Sequence, residues 1–287
     1  MENSTGPQSD VAGWFSTQWH QIRSSVQSIS ELNELLAARE APAPISDGPN
    51  NESNTTSFID AVVISHEFTD HCHQATLEEV PRTVPVFTTT KAAGLIRSWK
   101  HFDDVFDTAL FGKKTDWRTT SRSPLPSWLG IARLVTPGDA LYYHSAIVIC
   151  FQITDKAESV IYTPHGVEAA SFSAIHLAEP FVENFAFLHG LHDVSIWLTK
   201  QLNLGAFNAV EAARLLKCRY WIGTHDEVKK GGGLIAPFLR RKAWTLADIF
   251  SRESSKKGGS QVAENEHEKA SDPACRDLRS GESLVLE

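Results

Sequence analysis

The stretch Ala61-Val62-Val63-Ile64-Ser65-His66-Glu67-Phe68-Thr69-Asp70-His71-Cys72-His73 decides how the chain is read. Its first four residues form a short apolar run, the pattern of a strand buried on both faces. The run stops at Ser65. Three histidines, one aspartate and one glutamate then fall within eight residues. Side chains at a strand end, where the chain turns into a helix, can converge on one point above a sheet. Imidazole and carboxylate are donors that zinc, iron and manganese accept. The plainer alternative is a polar loop whose histidines only hydrogen-bond.

Upstream, residues 17–39 read as an amphipathic helix, with Ile22, Val26, Ile29, Leu32, Leu35 and Leu36 at spacings of three or four. Packing onto the domain is its expected role, ahead of binding a partner. Residues 40–57 open with Ala41-Pro42-Ala43-Pro44 and continue in Ser, Asn, Asp and Gly, a loop composition. Downstream, strands are expected at Val84–Phe87, Ile131–Val135, Ser145–Phe151, Val160–Tyr162 and Arg219–Ile222. Helices are expected through Lys91–Trp99, with Thr90 as cap, and around Asn208–Lys217. Strands early and strand–helix alternation later predict a layered α/β domain over residues 1–250, built on a mixed sheet. Residues 251–287, rich in Ser, Gly, Lys and Glu, read as a disordered tail.

Bulk properties narrow the function. A chain of 287 residues, 41% hydrophobic, buries one substantial core. No stretch approaches the roughly 18 to 20 apolar residues of a membrane span. The four cysteines, Cys72, Cys150, Cys218 and Cys275, lack C-x-x-C spacing. With no signal-peptide pattern at Met1–Thr5, they lead to an expected reduced, cytoplasmic setting. A net charge of −8 counts against nucleic acid as partner. Only Lys229-Lys230 and Arg240-Arg241-Lys242 cluster usefully as cations, enough for an anionic group on a small-molecule substrate. Lys229-Lys230-Gly231-Gly232-Gly233 reads as a glycine-rich turn ahead of an anion nest.

The order His66-x-Phe68-x-Asp70-His71 resembles the His-x-His-x-Asp-His signature of the metallo-β-lactamase superfamily, with Phe68 at the second histidine. Later landmarks follow in order. Tyr142-Tyr143-His144-Ser145-Ala146 resembles the third histidine motif. Thr163-Pro164-His165-Gly166 stands where the family has its bridging aspartate, and Gly223-Thr224-His225 resembles the closing histidine motif. The resemblance spans about residues 58–250 and is nearest to fungal proteins similar to ascorbate-phosphate lactonase-like hydrolases. It implies an αββα four-layer sandwich. Gly6-Pro7-Gln8-Ser9-Asp10 aligns just after the family's opening hairpin, so the first strands are expected to be missing.

The resemblance implies that His66, Asp70, His71, His144, His165 and His225 line one metal site. Phenylalanine cannot coordinate, and a histidine normally gives one nitrogen to one metal where a carboxylate bridges two. The expected centre is therefore one ion, zinc ahead of manganese or iron, on Asp70, His71 and His225 with His165 beside them. The spacing equally allows His66, His144 and His165. Such an ion lowers the pKa of its water towards about 7, and Asp70 is the expected group to orient that water or take its proton. The implied function is metal-dependent hydrolysis of a small ester-, lactone- or phosphoester-like substrate. The alternative is a catalytically degenerate member that binds a metal, metabolite or protein. His73 is expected to point elsewhere, Glu67 to face solvent and Cys72 to pack. His189-Gly190-Leu191-His192-Asp193 suits a pocket wall or a surface loop equally.

Overall fold

The computed structural model describes residues 17–39, 57–139, 142–197, 200–227, 229–234, 236–257 and 274–287. All of the loop expected over 40–57 except Ser57 lies outside these residues, as does 258–273 of the expected tail. The chain has the expected α/β character, with mixed strand directions. It forms two compact units, Arg23–Asp107 and Met1–Ile22 with Thr108–Glu287, where composition suggested one domain over 1–250.

The helix expected over 17–39 is shorter than its apolar pattern. β1 (Thr17–His20) is a strand, paired antiparallel with Lys229–Gly232. Only α1 (Ile29–Ala37) is helical, starting where the Ser28 hydroxyl caps Glu31 N at 3.1 Å. Backbone already committed to a ladder cannot also enter a helix, so the period of three to four is used only after the cap. Ile29, Leu32 and Leu36 are half-buried, and Leu35 lies outside their stripe.

The Arg23–Asp107 unit continues with β2 (Val62–Ile64), α2 (Gln74–Leu77), β3 (Val86–Thr88), α3 (Thr90–Trp99) and β4 (Val105–Asp107). Its three strands are parallel in the order β2-β3-β4. Ile64, Cys72, Leu77, Val86, Ala92 and Ile96 form its core. Ile64, Leu77, Val86 and Ile96 each contribute roughly 1.5–3 kcal/mol on burial. Two expectations shift here. β3 starts after Pro85, which has no N–H for a ladder. The cap of α3 is Thr89, whose hydroxyl accepts from Ala92 N. Val62 and Val63 are half-buried, so β2 is less enclosed than its apolar run suggested.

The other unit carries β5 (Ala109–Leu110), β6 (Leu129–Val135), β7 (Ser145–Phe151), β8 (Glu158–Thr163), α4 (Ser173–His176) and β9 (Glu183–His189). Then come β10 (Asp193–Ile196), β11 (Lys200–Asn203), α5 (Ala206–Leu216), β12 (Tyr220–Ile222), β13 (Lys229–Gly232), β14 (Leu239–Lys242), α6 (Leu246–Lys257) and β15 (Cys275–Arg276). Seven strands form one mixed sheet in the order β15-β12-β9-β8-β7-β6-β5. Central β7, Ser-Ala-Ile-Val-Ile-Cys-Phe, is buried over most of its length. β8 alternates half-buried and buried residues, as a strand covered on one face does. The core includes Phe172, Phe187, Trp221 and the alanine-rich side of α5.

Two readings are corrected in this unit. Lys229–Gly232 is the strand β13 and not a turn, because β1 supplies its ladder. The segment read as a tail contains the end of α6 and all of β15. Ile249 of α6 is fully buried, and β15 pairs parallel with β12, which would otherwise be a sheet edge.

Candidate metal centre

In the Arg23–Asp107 unit, the strands are parallel and their carboxyl ends lie along one edge, where loops of parallel sheets gather ligands. His66 follows β2 at that edge and is almost wholly buried, with its Nδ1 2.8 Å from the Ser65 hydroxyl. A tight turn, in which Phe68 O accepts from His71 N and Cys72 N, brings the pair Asp70 and His71 back towards it. The His66 and His71 rings are 4.4 Å apart between centroids, and Asp70 Oδ2 is 3.6 Å from His71 Nε2. His66 and Asp70 each present a donor atom within 4.8 Å of one on His71. Phe68 packs edge-on against His66, at 5.0 Å, where a further imidazole would have added a donor.

The neighbours of this cluster are occupied otherwise. His73 Nδ1 meets the Thr76 hydroxyl at 3.0 Å, away from the cluster as expected. Glu67, expected to face solvent, is half-buried and paired with Lys91 at 3.6 Å. Burial, with the Glu67 charge second, pushes the Cys72 thiol up to about 12, so it packs as a neutral group.

In the other unit, β8, β9 and β12 are adjacent and parallel, so their carboxyl ends share one edge. Those ends carry Thr163-Pro164-His165, His189-Gly190-Leu191-His192 and Gly223-Thr224-His225-Asp226. Extending the β7–β8 register from Ile147↔Tyr162 sets His144 opposite His165 at the same edge.

His165 and His225 have ring centroids 5.3 Å apart. Asn203 Oδ1 accepts from His165 Nδ1 at 2.7 Å, which fixes the tautomer with its lone pair on Nε2, the form a metal requires. Gly166, at φ +79°, admits no side chain, since a Cβ would lie 2.7 Å from Leu204 Cβ. His225 adopts the left-handed φ of +65°, a costly conformation for a residue with a side chain. The next residue anchors it. The Asp226 carboxylate accepts from Leu191 N at 2.5 Å and His192 N at 2.8 Å, tying the His225 turn to the turn after β9.

His144 stands apart. Its Nδ1 meets Asp139 Oδ2 at 3.0 Å and its Nε2 meets Leu202 O at 2.8 Å, so both nitrogens face protein acceptors. Binding a metal would require it to give up one of these bonds. His189 is also buried, donating from Nδ1 to Gly190 O, and burial lowers its pKa to about 4 despite that bond. Asn203, Asp139 and Asp226 are the residues that sequence reading missed. Only Asp226, adjacent to His225, had a visible signal.

Within the Arg23–Asp107 unit, His66, His71 and Asp70 combine imidazoles with a carboxylate, donors that suit a zinc-like ion, and the other unit offers the imidazoles of His165 and His225.

No protein-family profile matches the chain, and no curated protein matches it. Among solved structures, the chain is similar to an isothiocyanate hydrolase from Delia radicum gut bacteria, at 16% identity over 79% of this chain and 76% of that one, with a TM-score of 0.45. It is also similar to a possible metal-dependent hydrolase from Veillonella parvula DSM 2008, at 15% identity over the same shares and a TM-score of 0.49. A third is the diiron β-hydroxylase CmlA from Streptomyces venezuelae, at 13% identity over 63% of this chain and 39% of that one, with a TM-score of 0.41. No helix among the described residues is long and apolar enough to cross a membrane.

Proposed function

We propose that the chain is a metal-dependent hydrolase of a small ester-, lactone- or phosphoester-like substrate, on a metallo-β-lactamase-like αββα scaffold. The observation that carries this reading is the pairing of His165 with His225 at the ends of parallel strands, with Asn203 holding His165 in the metal-binding tautomer. His66, Asp70 and His71 form a second donor cluster of matching chemistry. In this reading the chain holds one ion, zinc ahead of manganese or iron, in a cytoplasmic protein. The sequence motifs set the proposal beside the fungal lactonase-like branch that they resemble.

The bound ion would supply Lewis-acid polarisation of the substrate and acidification of a water. Asp70, partly exposed beside His71, orients that water or takes its proton. Buried His66 and the clamped turns around His165 and His225 keep the donors in fixed geometry.

A binding role without catalysis is the second reading. It is favoured by His144, whose two nitrogens are engaged, and by Phe68 beside His66.

The test is metal content per chain in the purified protein and in Asp70→Ala and His225→Ala. About one zinc per chain, lost in both variants, is expected. Two ions would overturn the single-ion centre, and none under metal-replete conditions would overturn the metal reading. A screen over esters, lactones, thioesters and phosphodiesters then separates catalysis from binding. Activity that survives Asp70→Ala would rule out the role given to that residue.

A further inference from the structure

Beside the His165 turn, the three-stranded sheet β11-β10-β14 forms one wall of an open groove of about 960 Å³. Cross-strand pairing sets Ser195 opposite both Arg240 and Gln201, and Asp193 opposite Lys242, so these side chains share one face of the sheet. Trp197 and Phe207 stand at its sides.

We propose that this groove binds a small organic anion, a carboxylate, sulfate or phosphate monoester joined to a flat apolar body. Charge selects the anion. Arg240, Arg241 and Lys242 line the groove against the single carboxylate of Asp193. Both Asp193 oxygens are already used. Oδ1 accepts from Gly205 N and Gln201 Nε2, and Oδ2 accepts from Trp244 Nε1. Lys242 is held in place with its ammonium 3.9 Å above the Trp244 ring. Arg241 is spent elsewhere, donating to Glu227 O at 2.8 Å. Arg240 pairs with no carboxylate among the described residues and is left to meet a ligand's charge.

The aromatic side selects the flat body. Trp197 is 55% exposed and sits at φ +50°, a strained conformation for a bulky residue. Its backbone N–H donates to Phe238 O at 2.8 Å, and its indole lies 6.1 Å from the Phe238 ring, centroid to centroid. An exposed indole on the groove that Arg240 also lines suits an aryl or similarly planar group.

Leu204 links groove and candidate centre, because it lines the groove while its N–H donates to His165 O at 2.9 Å. The groove therefore reaches within one residue of the His165 turn. Its assignment as the substrate's anchoring end rests on the proposed metal centre, but the binding site itself does not.

The test uses 1-naphthalenesulfonate, which resists hydrolysis, titrated calorimetrically into the full chain with and without zinc. Saturable one-to-one binding is expected, with 1-naphthalenemethanol and inorganic sulfate each at least tenfold weaker. Arg240→Gln and Trp197→Ala should each weaken binding at least tenfold, with unfolding midpoints close to wild type. Arg241→Gln should stay within twofold. Equal binding of the neutral alcohol, equal loss in Arg241→Gln and Arg240→Gln, or no saturable binding would overturn the proposal. Repeating the titration in His225→Ala separates the two readings. There zinc should be lost while naphthalenesulfonate binding persists, and binding that disappears with the zinc would overturn an independent groove site.

Discussion

A Cβ added to Gly190 would lie 2.8 Å from Asp226 Oδ1 and would also strike Thr224 O, so the turn after β9 and the turn carrying His225 pack backbone to backbone. No other residue type fits at 190 without moving the histidine turn. Gly190→Ala should cost about 1–3 kcal/mol by overpacking and weaken zinc binding as well. Urea unfolding and a competitive chelator titration measure the two effects. A fully stable Gly190→Ala protein with unchanged zinc affinity would show that the turn is free to shift.

Asn203 offers a cleaner probe of His165, because its oxygen sets which imidazole nitrogen carries the proton. Asn203→Leu removes that acceptor and should lower metal affinity roughly 10–100-fold. Asn203→Asp keeps an acceptor and should restore most of it. Equal affinity in the leucine variant and wild type would remove Asn203 from the account.

His189 makes stability depend on pH. Its folded pKa of about 4 lies below the unfolded value of 6.5, so the unfolded chain takes up the proton first. Stability is full above pH 6.5 and declines as pH falls towards 4, by roughly 1.4 kcal/mol per unit. Urea midpoints measured across that window should fall less steeply in His189→Gln than in wild type. Parallel curves would place the proton uptake on another group.

Phe68 bears on ion number. Phe68→His places an imidazole beside His66, and zinc affinity should tighten by roughly tenfold, about 1.4 kcal/mol. The stoichiometry should stay at one, because His165 still gives one nitrogen to one metal. Two ions per chain in this variant, by elemental analysis, would refute that account of His165.

The legible parts of this molecule were those written in local pattern. The run Ser145–Phe151 is β7 residue for residue, and Lys91–Trp99 falls within α3. The histidines were visible because imidazole is scarce and each sits where an apolar run ends. What stayed hidden was long-range. Thr17–His20 reads as helix until Lys229–Gly232 is known to lie alongside it, and glycine-rich β13 reads as a turn for the same reason. Nothing near Asp139 or Asn203 shows that they receive His144 and His165. The commitment of both His144 nitrogens is likewise a fact of packing, which motif order does not carry.

Strand β15 has a consequence for how the chain comes together. It covers the outer side of β12, and Arg276 O takes the hydrogen bond of Gly223 N, two residues before His225. Synthesis runs from the amino end, so β12 is made more than fifty residues before its outer neighbour exists. Until Arg276 leaves the ribosome, the strand leading to His225 is a bare edge, open to wrong pairing. The histidine turn is thus secured only after Arg276 is made, and a chain stalled or terminated before it would carry His225 without the strand that fastens its turn.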